Sequence, residues 1–182
     1  MEDLQPIRAA ARSFETARLL LRPYEPGDLD AMAEMFGDAE VTAHTLLGRR
    51  DRAQTEVVLD GYRSFLAERG YGMLAILDRD TGQYFGEVGL FVSPMGPLAL
   101  RYALARPAWG KGFATEASSA VLDDSFDDLG LHRLCAGVIA ENIGSLRVID
   151  KLGFVFREVV SAGGKTFNLF ELTRDDWKTR SR

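Results

Sequence analysis

Apolar residues recur first at a strand-like spacing and then at a helical one near the start of the chain. The run Arg18–Arg22 is apolar inside and stops at a proline, which has no amide hydrogen to give a sheet, so it predicts a short strand. Helical spacing follows over Asp28–Gly37, with Asp28 as N-cap, and over Asp51–Arg69; Gly37 and Gly70 are expected to close these helices in the left-handed conformation. Glu40–Arg50 has neither spacing and predicts an open loop.

The second half of the chain changes period and predicts a sheet with two more helices. Strands are expected where apolar or alternating runs are bounded by turn residues: Met73–Leu77, Gln83–Val92, Leu98–Leu104, Arg133–Ile139, Val155–Ser161 and Thr166–Thr173. Helices are expected over Ala114–Leu129 and from Asn142 or Gly144 to Leu152. This order favours an α+β fold, a mixed and mostly antiparallel sheet of about six or seven strands flanked by about four helices.

Composition and charge restrict the class of protein. Of the 182 residues, 46% are hydrophobic and 27% are charged, as in an ordinary globular domain, and the length suits a single domain. Because the first residues show little apolar periodicity, we expect a leader over residues 1–13 and the domain over residues 14–182. The net charge of −5 argues against a nucleic-acid partner, which usually requires a basic face. No apolar run approaches the roughly 20 residues that span a bilayer, so no membrane partner is expected. Cys135 is the only cysteine, which gives no disulfide and no paired thiolates for a metal, and is typical of a cytoplasmic protein.

A glycine-containing turn between a strand and a helix is the clearest chemical signal. Gly110-Lys111-Gly112 follows the predicted strand Leu98–Leu104 and leads into the helix that begins near Ala114. Glycines let the backbone approach a phosphate, and the helix N-terminus adds about half a positive charge, so the turn suits an anion such as a diphosphate. A plain tight turn remains the alternative. A dinucleotide-binding fingerprint is not met, because Thr115 stands where a third glycine is needed.

A second glycine segment ends like a phosphate-binding loop but lacks the rest of that motif. Gly163-Gly164-Lys165-Thr166 has Val159 where the first glycine is required, and a strand-like stretch where a helix should begin. We interpret it as the turn of a hairpin.

Four motifs follow one another along the chain, at residues 16–23, 107–117, 132–134 and 142–145 with 151–154. Within a match over about residues 14–177, they resemble the RimJ/RimL-like branch, the ribosomal-protein-alanine acetyltransferases, of the GNAT superfamily of N-acetyltransferases. The resemblance implies a GNAT fold, acetyl-CoA as co-substrate and no metal. It implies that the pyrophosphate is bound by Trp109, Gly110, Lys111, Gly112, Phe113, Ala114 and Thr115, the pantetheine arm by the strand backbone at Tyr102, Ala103 and Leu104, and the end of that arm by Asn142 and Ser145.

Two positions depart from the pattern of that branch. Pro107 stands three residues before the first glycine, where the superfamily often has Gln or Arg. The strand before it reads Ala99-Leu-Arg101-Tyr102, where related members frequently carry Glu-hydrophobic-Gly-Tyr. A carboxylate that organises the acceptor is therefore expected to be missing at Ala99, and Arg101 replaces a glycine.

The implied reaction is direct attack of a neutral amine on the thioester, with a strand amide near Ala103 or Leu104 stabilising the oxyanion. Ser145 is the candidate acid for the leaving thiolate, with capping of its helix as the alternative. Glu87 is the candidate base, with a solvated strand carboxylate as the alternative. An α-amine of pKa about 8 is favoured over lysine, whose deprotonation costs about 4 to 5 kcal/mol at neutral pH. Cys135 is interpreted as an inert core residue.

The acceptor is left open by the sequence. A protein N-terminal α-amine or a small-molecule amine is the leading expectation, on a monomer or homodimer. An antibiotic acetyltransferase of the aminoglycoside type would need an acidic cleft from residues such as Asp38, Glu40 and Asp51. A non-catalytic acyl-CoA sensor is the alternative from another class, supported by the missing carboxylate at Ala99. We interpret His44 as a surface residue and His132 as a structural one.

Overall fold

Eight strands form one open sheet in the computed structural model, which describes residues 12–45, 48–93 and 96–180. Most of the predicted leader lies outside the described residues. The strands are β1 Phe14–Glu15, β2 Leu19–Arg22, β3 Met73–Asp78, β4 Tyr84–Ser93, β5 Gly96–Leu104, β6 Arg133–Val138, β7 Val155–Ala162 and β8 Lys165–Thr173. Their order is β1-β2-β3-β4-β5-β6-β8-β7, and every neighbouring pair is antiparallel except β5 and β6.

Helices cover both faces of this sheet. They are α1 Leu29–Gly37, α2 Ala39–Thr42, α3 Arg52–Arg69, α4 Phe113–Asp123, α5 Ile143–Leu152 and α6 Arg174–Arg180. One core contains the inward residues of α4 and α5, and a second contains those of α1 together with Leu59 of α3. Strand β3 contributes to both, since Leu74 and Ile76 pack in the first core and Met73, Ala75 and Leu77 in the second. A strand covered on both faces must be apolar at every position, which explains its unbroken hydrophobic run.

The predicted α+β class and the long elements are confirmed, and the local signals explain why. Helix α3 begins at the N-cap Asp51, whose side chain accepts a hydrogen bond from the Gln54 amide, and ends at Gly70 with φ +74°. Helix α5 ends in the same way at Gly153, with φ +86°. The Gly163–Gly164 segment is the expected two-residue hairpin turn between β7 and β8.

Several short elements differ from the sequence prediction. The segment read as an open loop contains α2, whose N-cap Asp38 accepts a hydrogen bond from the Glu40 amide. Because that cap starts a new helix at once, Gly37 keeps a helical conformation and does not take the left-handed one. Asp28 is the N-cap residue of α1, as expected, but its side chain makes no capping hydrogen bond to α1. Its carboxylate instead accepts two hydrogen bonds from Arg22 and one from the Glu25 amide. Strand β1 and helix α6 are too short for their spacing to be read.

No helix in the part of the chain that the structure describes is long and apolar enough to cross a membrane.

Candidate active site

Strands β5 and β6 separate soon after they meet. Their register contains one pair, Ala99 with Cys135, where the Cys135 thiol donates to the Leu98 carbonyl at 3.3 Å. Strand β5 continues to Leu104, held on its other side by β4, with Ala103 opposite Glu87. The edge of β5 over residues 102–104 therefore faces an opening with no strand partner among the described residues. This is the splayed strand that the resemblance implies, and an unpaired strand edge is a template for an extended ligand.

The glycine turn lies just beyond this free edge and has the backbone that an anion site requires. Gly110 and Gly112 have φ values of +72° and +81°, and a Cβ at Gly110 would meet nothing within 4 Å. Helix α4 begins immediately after Gly112, and its first intrahelical bond runs from the Glu116 amide to the Gly112 carbonyl at 3.1 Å. The amides of residues 113–115 precede that bond, so they are free to bind an anion at the positive end of the helix.

Arg18 braces this turn, a role that sequence reasoning missed although Arg18 lies inside one of the quoted motifs. Its Nη1 donates to the Lys111 carbonyl at 3.0 Å, and its guanidinium lies 4.5 Å from the centre of the Phe113 ring. Glu116 fixes the other side of the guanidinium, accepting from Nε at 2.8 Å, and it also accepts from the Thr16 hydroxyl at 2.6 Å. The bracing joins the N-terminal strands to the start of α4.

Glu116, in the first turn of α4, holds Arg18 and Thr16 in place through its carboxylate. Burial alone would raise its pKa, but hydrogen bonds from Thr16 and Arg18 outweigh this and lower the pKa of Glu116 below its ordinary value. The carboxylate stays ionised and keeps Arg18 in place.

We expect Arg18→Met to weaken acetyl-CoA binding several-fold, because the turn loses the hydrogen bond to Lys111 while the stacking on Phe113 is largely kept. The free energy of unfolding should fall by no more than about 1 kcal/mol, since the Arg18 side chain is half exposed. Calorimetric titration would measure the affinity. Arg63→Met, which removes an exposed cation that pairs with Asp60 on α3, is the matched control and should bind acetyl-CoA as the parent does. Equal affinities of the two variants would contradict the bracing role.

Trp109 connects the turn to the end of β5. Its indole N–H donates to the Leu104 carbonyl at 2.7 Å, while 45% of the residue stays exposed. Trp109 thus fixes one edge of its ring to the end of β5 and leaves much of the residue exposed beside the glycine turn. Because Trp109 uses the Leu104 carbonyl, an extended ligand along β5 must bind the remaining polar groups of residues 102–104.

On the far side of the opening, Asn142 provides the cap of α5. Its Oδ1 accepts from the Ser145 amide at 3.0 Å, so the capping side chain belongs to Asn142 and the capping alternative for Ser145 is wrong. The Tyr102 hydroxyl lies 3.4 Å from the Ser145 carbonyl oxygen and bridges the opening from β5 to α5. Burial raises the pKa of Tyr102 to about 12, against the opposite effect of a hydrogen bond with Ser145. Tyr102 therefore stays protonated at neutral pH.

Glu87 is not a solvated strand carboxylate, because 0% of the residue is exposed. Its Oε1 lies 2.7 Å from Nη2 of Arg101, and Nη1 of Arg101 donates to the Tyr62 hydroxyl at 2.9 Å. Glu87 pairs with Ala103, two residues from Arg101 on the neighbouring strand, so all three point to the α1 and α3 face. The arginine that replaces a glycine thus has a carboxylate partner on β4, whereas Ala99 lies further along β5, opposite Phe91.

Tyrosines surround this ion pair. Tyr24 packs against Tyr62 at 5.8 Å between ring centres, and the hydroxyls of Tyr24 and Tyr84 lie 2.9 Å apart. Burial raises the pKa of Glu87, with the positive charges of Arg101 and Arg50 opposing it. A buried carboxylate with a raised pKa is a stronger proton acceptor than one in water.

The β7–β8 hairpin also contacts the loop after α2. Lys165, at the tip of the β7–β8 hairpin, donates to the Thr45 carbonyl at 2.6 Å and so links the hairpin to the loop after α2. His44 lies in that loop and is exposed, as expected for a surface residue, whereas His132, expected to be structural, is exposed before β6. Among the described residues no group of three or more His, Cys, Asp or Glu side chains is placed to hold a metal.

The carboxylates that an aminoglycoside cleft would need already have partners within the protein. Asp38 and Glu40 both pair with Arg106, at 2.6 and 3.1 Å, and Asp51 caps α3. They do not form an unneutralised acidic surface beside Glu87.

Known proteins resemble this chain in sequence and in fold. The uncharacterized N-acetyltransferase p20 of Bacillus licheniformis is 28% identical over 162 residues, covering 85% of this chain and 91% of that protein. An acetyltransferase from Agrobacterium tumefaciens C58 superposes with a TM-score of 0.79 at 24% identity, over 90% of this chain and 95% of that one. The ribosomal-protein-S5-alanine acetyltransferase of Vibrio fischeri superposes at 0.73 with 22% identity, over 91% and 98%.

The family model described as the acetyltransferase (GNAT) domain matches residues 18–155. That range includes the glycine turn, the free edge of β5, the buried ion pair and the start of α5. Because the match covers well over half of the chain, the protein belongs to the GNAT family of acetyltransferases, which use acetyl-CoA as co-substrate, and it is an acyltransferase that transfers acetyl groups to an amine.

Proposed function

We propose that this protein is an acetyl-CoA-dependent N-acetyltransferase of the RimJ/RimL-like kind, acting on a primary amine of low pKa that enters on the α1 and α3 face. The observation that carries the proposal is the position of Glu87. This buried carboxylate lies opposite Ala103, on the strand whose free edge runs from the opening to the glycine turn. The anion site, the free strand edge and the proton acceptor are thus consecutive along β5.

The residues of the turn fit the diphosphate of the donor. The left-handed glycines leave the backbone unobstructed at Gly110, and the amides of residues 113–115 supply donors at the positive end of α4. Lys111 adds a positive charge on the exposed surface of the turn. The free edge at residues 102–104 can bind an extended amide-containing arm as a further strand would.

The thioester of acetyl-CoA supplies an activated acetyl group, so the chain needs no covalent intermediate of its own. The backbone amide of Leu104 can donate to the carbonyl oxygen and stabilise its developing charge, whereas the amide of Ala103 faces β4, in the register in which the Ala105 amide donates to the Phe85 carbonyl. Cys135 does not serve as a nucleophile, because it is buried at the β5–β6 pair and burial raises the pKa of its thiol to about 11.

Glu87 accepts the proton of the incoming amine, directly or through a water molecule. The required proton transfer is small for an α-amine of pKa about 8 and about 3 kcal/mol harder for a lysine side chain. This difference favours an α-amine or another amine of similarly low pKa.

Tyr102 and Ser145 lie on the other face of β5 and serve the leaving thiolate. The two residues meet across the opening, and Tyr102 is protonated at neutral pH, so it can donate to sulfur or hold the Ser145 hydroxyl in place. An alkyl thiolate of pKa about 8.5 leaves readily, so this help is expected to be moderate.

We expect Ser145→Ala and Tyr102→Phe to lower kcat by roughly 10-fold each, with little change in the KM for acetyl-CoA. If the two groups protonate one thiolate together, the double variant should lose less than the product of the single effects. Steady-state kinetics on the four proteins gives this comparison. Unchanged kcat in both single variants would remove the pair from the reaction.

Thiol release from acetyl-CoA, measured with a panel of peptide α-amines, small amines and aminoglycosides, tests the proposed function. We expect release with at least one low-pKa amine and formation of the N-acetyl product by mass spectrometry. Tight binding of acetyl-CoA without release on any amine would contradict the proposal and favour the acyl-CoA sensor.

A further inference from the structure

Arg50 is a buried cation that the fold leaves without a partner. Only 8% of the residue is exposed, and its Nη1 makes no hydrogen bond. Its guanidinium lies 4.5 Å from the centre of the Phe36 ring, and its backbone amide donates to the Phe36 carbonyl at 3.1 Å, so the side chain is held in one place. None of the ion pairs among the described residues includes Arg50.

An unpaired buried charge destabilises a protein, so its presence requires an explanation. Arginine keeps its proton in proteins, so Arg50 stays charged and the free-energy cost of burying that charge remains. Stacking on Phe36 offsets part of the cost and satisfies no N–H donor. A ligand that supplies an anion would satisfy both the charge and the donor.

Arg50 lies on the same face of the sheet as Glu87 and Arg101. Phe36, on which its guanidinium stacks, packs in the core that also contacts Ala103 of β5, and Ala103 lies opposite Glu87. The charges of Glu87 and Arg101 act on Arg50 from this face, and the Glu87 carboxylate is already paired with Arg101 at 2.7 Å. One positive charge therefore remains, on the face where the amine enters.

We propose that the acceptor is a small amine that also carries a carboxylate, as an α-amino acid does, and that Arg50 binds this carboxylate while Glu87 accepts the amine proton. This inference rests on the proposed function. In the transfer the amine nitrogen bonds to the acetyl carbon, the carbon–sulfur bond breaks with its electron pair on sulfur, and one proton leaves nitrogen for Glu87. The planar guanidinium can donate two parallel hydrogen bonds to one carboxylate, which makes Arg50 a specificity-determining residue.

The test compares acceptors with and without the carboxylate. A free carboxylate also raises the pKa of the neighbouring amine, and its pairing with Arg50 would remove this effect in the bound acceptor, so the comparison is made on binding and not on turnover. The free L-amino acids and their carboxamides are compared by thermal stabilisation of the parent protein, Arg50→Met and Arg50→Lys, in the presence of coenzyme A. Arg49→Met is the control, because it removes a neighbouring exposed cation that donates to the Gly37 carbonyl. An arm with phosphoethanolamine distinguishes a phosphate-bearing amine from a carboxylate-bearing one.

We expect at least one amino acid to stabilise the parent and the Arg49→Met protein, and to bind about tenfold or more tightly than its carboxamide. Arg50→Met should abolish that preference, and Arg50→Lys should keep part of it. Without any ligand, Arg50→Met should melt roughly 2–4 °C higher than the parent, because an unpaired buried charge has been removed. A merely structural arginine would give the opposite shift.

Equal binding of acids and amides, no stabilisation by any amino acid, or a preference that survives in Arg50→Met would each overturn the inference. Stabilisation by phosphoethanolamine alone would overturn it in favour of a phosphate-bearing acceptor. Thiol release is measured on the same panel. Turnover only of amines that lack a carboxylate would refute the role of Arg50 and leave the proposed function standing, whereas no turnover of any amine would refute both.

Discussion

Glu87→Gln should lower kcat/KM for the amine acceptor by roughly 10²- to 10³-fold, while the affinity for acetyl-CoA changes little. The substitution keeps the size of the side chain and removes its ability to accept a proton. Because Glu87 is fully buried opposite Ala103 and the donor turn lies beyond Leu104, the diphosphate contacts are untouched. Steady-state kinetics with acetyl-CoA and the best amine of the panel, together with calorimetric titration of acetyl-CoA, separates the two effects.

The pH dependence of kcat/KM gives a second test of Glu87 as the proton acceptor. Only the ionised form of Glu87 can accept a proton, and burial raises its pKa above the ordinary value, with Arg101 opposing. The kcat/KM of the parent protein should therefore fall as pH decreases through this raised pKa, at a higher pH than for an exposed carboxyl group. Glu87→Gln should lack this acidic limb. An identical limb in both proteins would assign it to another group.

Loss of folding must be separated from loss of chemistry in this experiment. Glu87→Gln leaves Arg101 buried without its counter-ion, and breaking a buried pair in this way costs about 3–5 kcal/mol. The double variant Glu87→Gln with Arg101→Met removes both charges and should recover most of that stability. We expect it to remain inactive. Recovered activity in the double variant would show that Glu87 serves only to neutralise Arg101.

Gly112→Val should weaken acetyl-CoA binding by roughly 10²-fold. Gly112 has φ +81°, a conformation that a β-branched residue adopts only with strain, and a side chain there would also approach Nη2 of Arg18, 3.6 Å from an added Cβ. The turn must shift, and the amides at the start of α4 shift with it. Calorimetric titration with acetyl-CoA measures the loss.

A second glycine gives the matched control for this prediction. Gly130 lies beyond the C-terminal end of α4, after the π-helical turn Asp124–Asp128; it has φ +68°, and an added Cβ would meet nothing within 4 Å. Gly130→Val should lower the melting temperature by a similar amount and leave acetyl-CoA affinity unchanged. If both variants bind acetyl-CoA equally well, the turn at Gly110–Gly112 is not the anion site.

Features written in consecutive residues were predictable from the sequence. Helix α3 follows from its cap at Asp51, its spacing and the glycine at its end, and the glycine turn before α4 follows from Gly110 and Gly112. The resemblance of the motifs then gave the donor, because their order and spacing are specific even though each motif is short. The same local signals separated the Gly163–Gly164 hairpin from a phosphate-binding loop.

Features that depend on strand register were not predictable in this way. The burial of Glu87 and its ion pair with Arg101 require β4 and β5 to pair with Glu87 opposite Ala103, which no local pattern specifies. Arg18 reaches Lys111 and Glu116 across about a hundred residues of chain, so its role emerges only from the fold. In the sequence Arg50 stands only at the end of a predicted loop, because no local pattern indicates that a cation will be buried without an ion-pair partner.

Amide hydrogen exchange, measured residue by residue with and without acetyl-CoA, locates the donor site. Acetyl-CoA should slow exchange at the glycine turn and the first turn of α4, over residues 110–115, and at Tyr102 and Leu104, whose amides lie on the free edge of β5. The amides of Ala136 and Val138 in β6, already paired with β8, should change far less. Protection confined to other parts of the chain, or none at residues 110–115, would contradict the account.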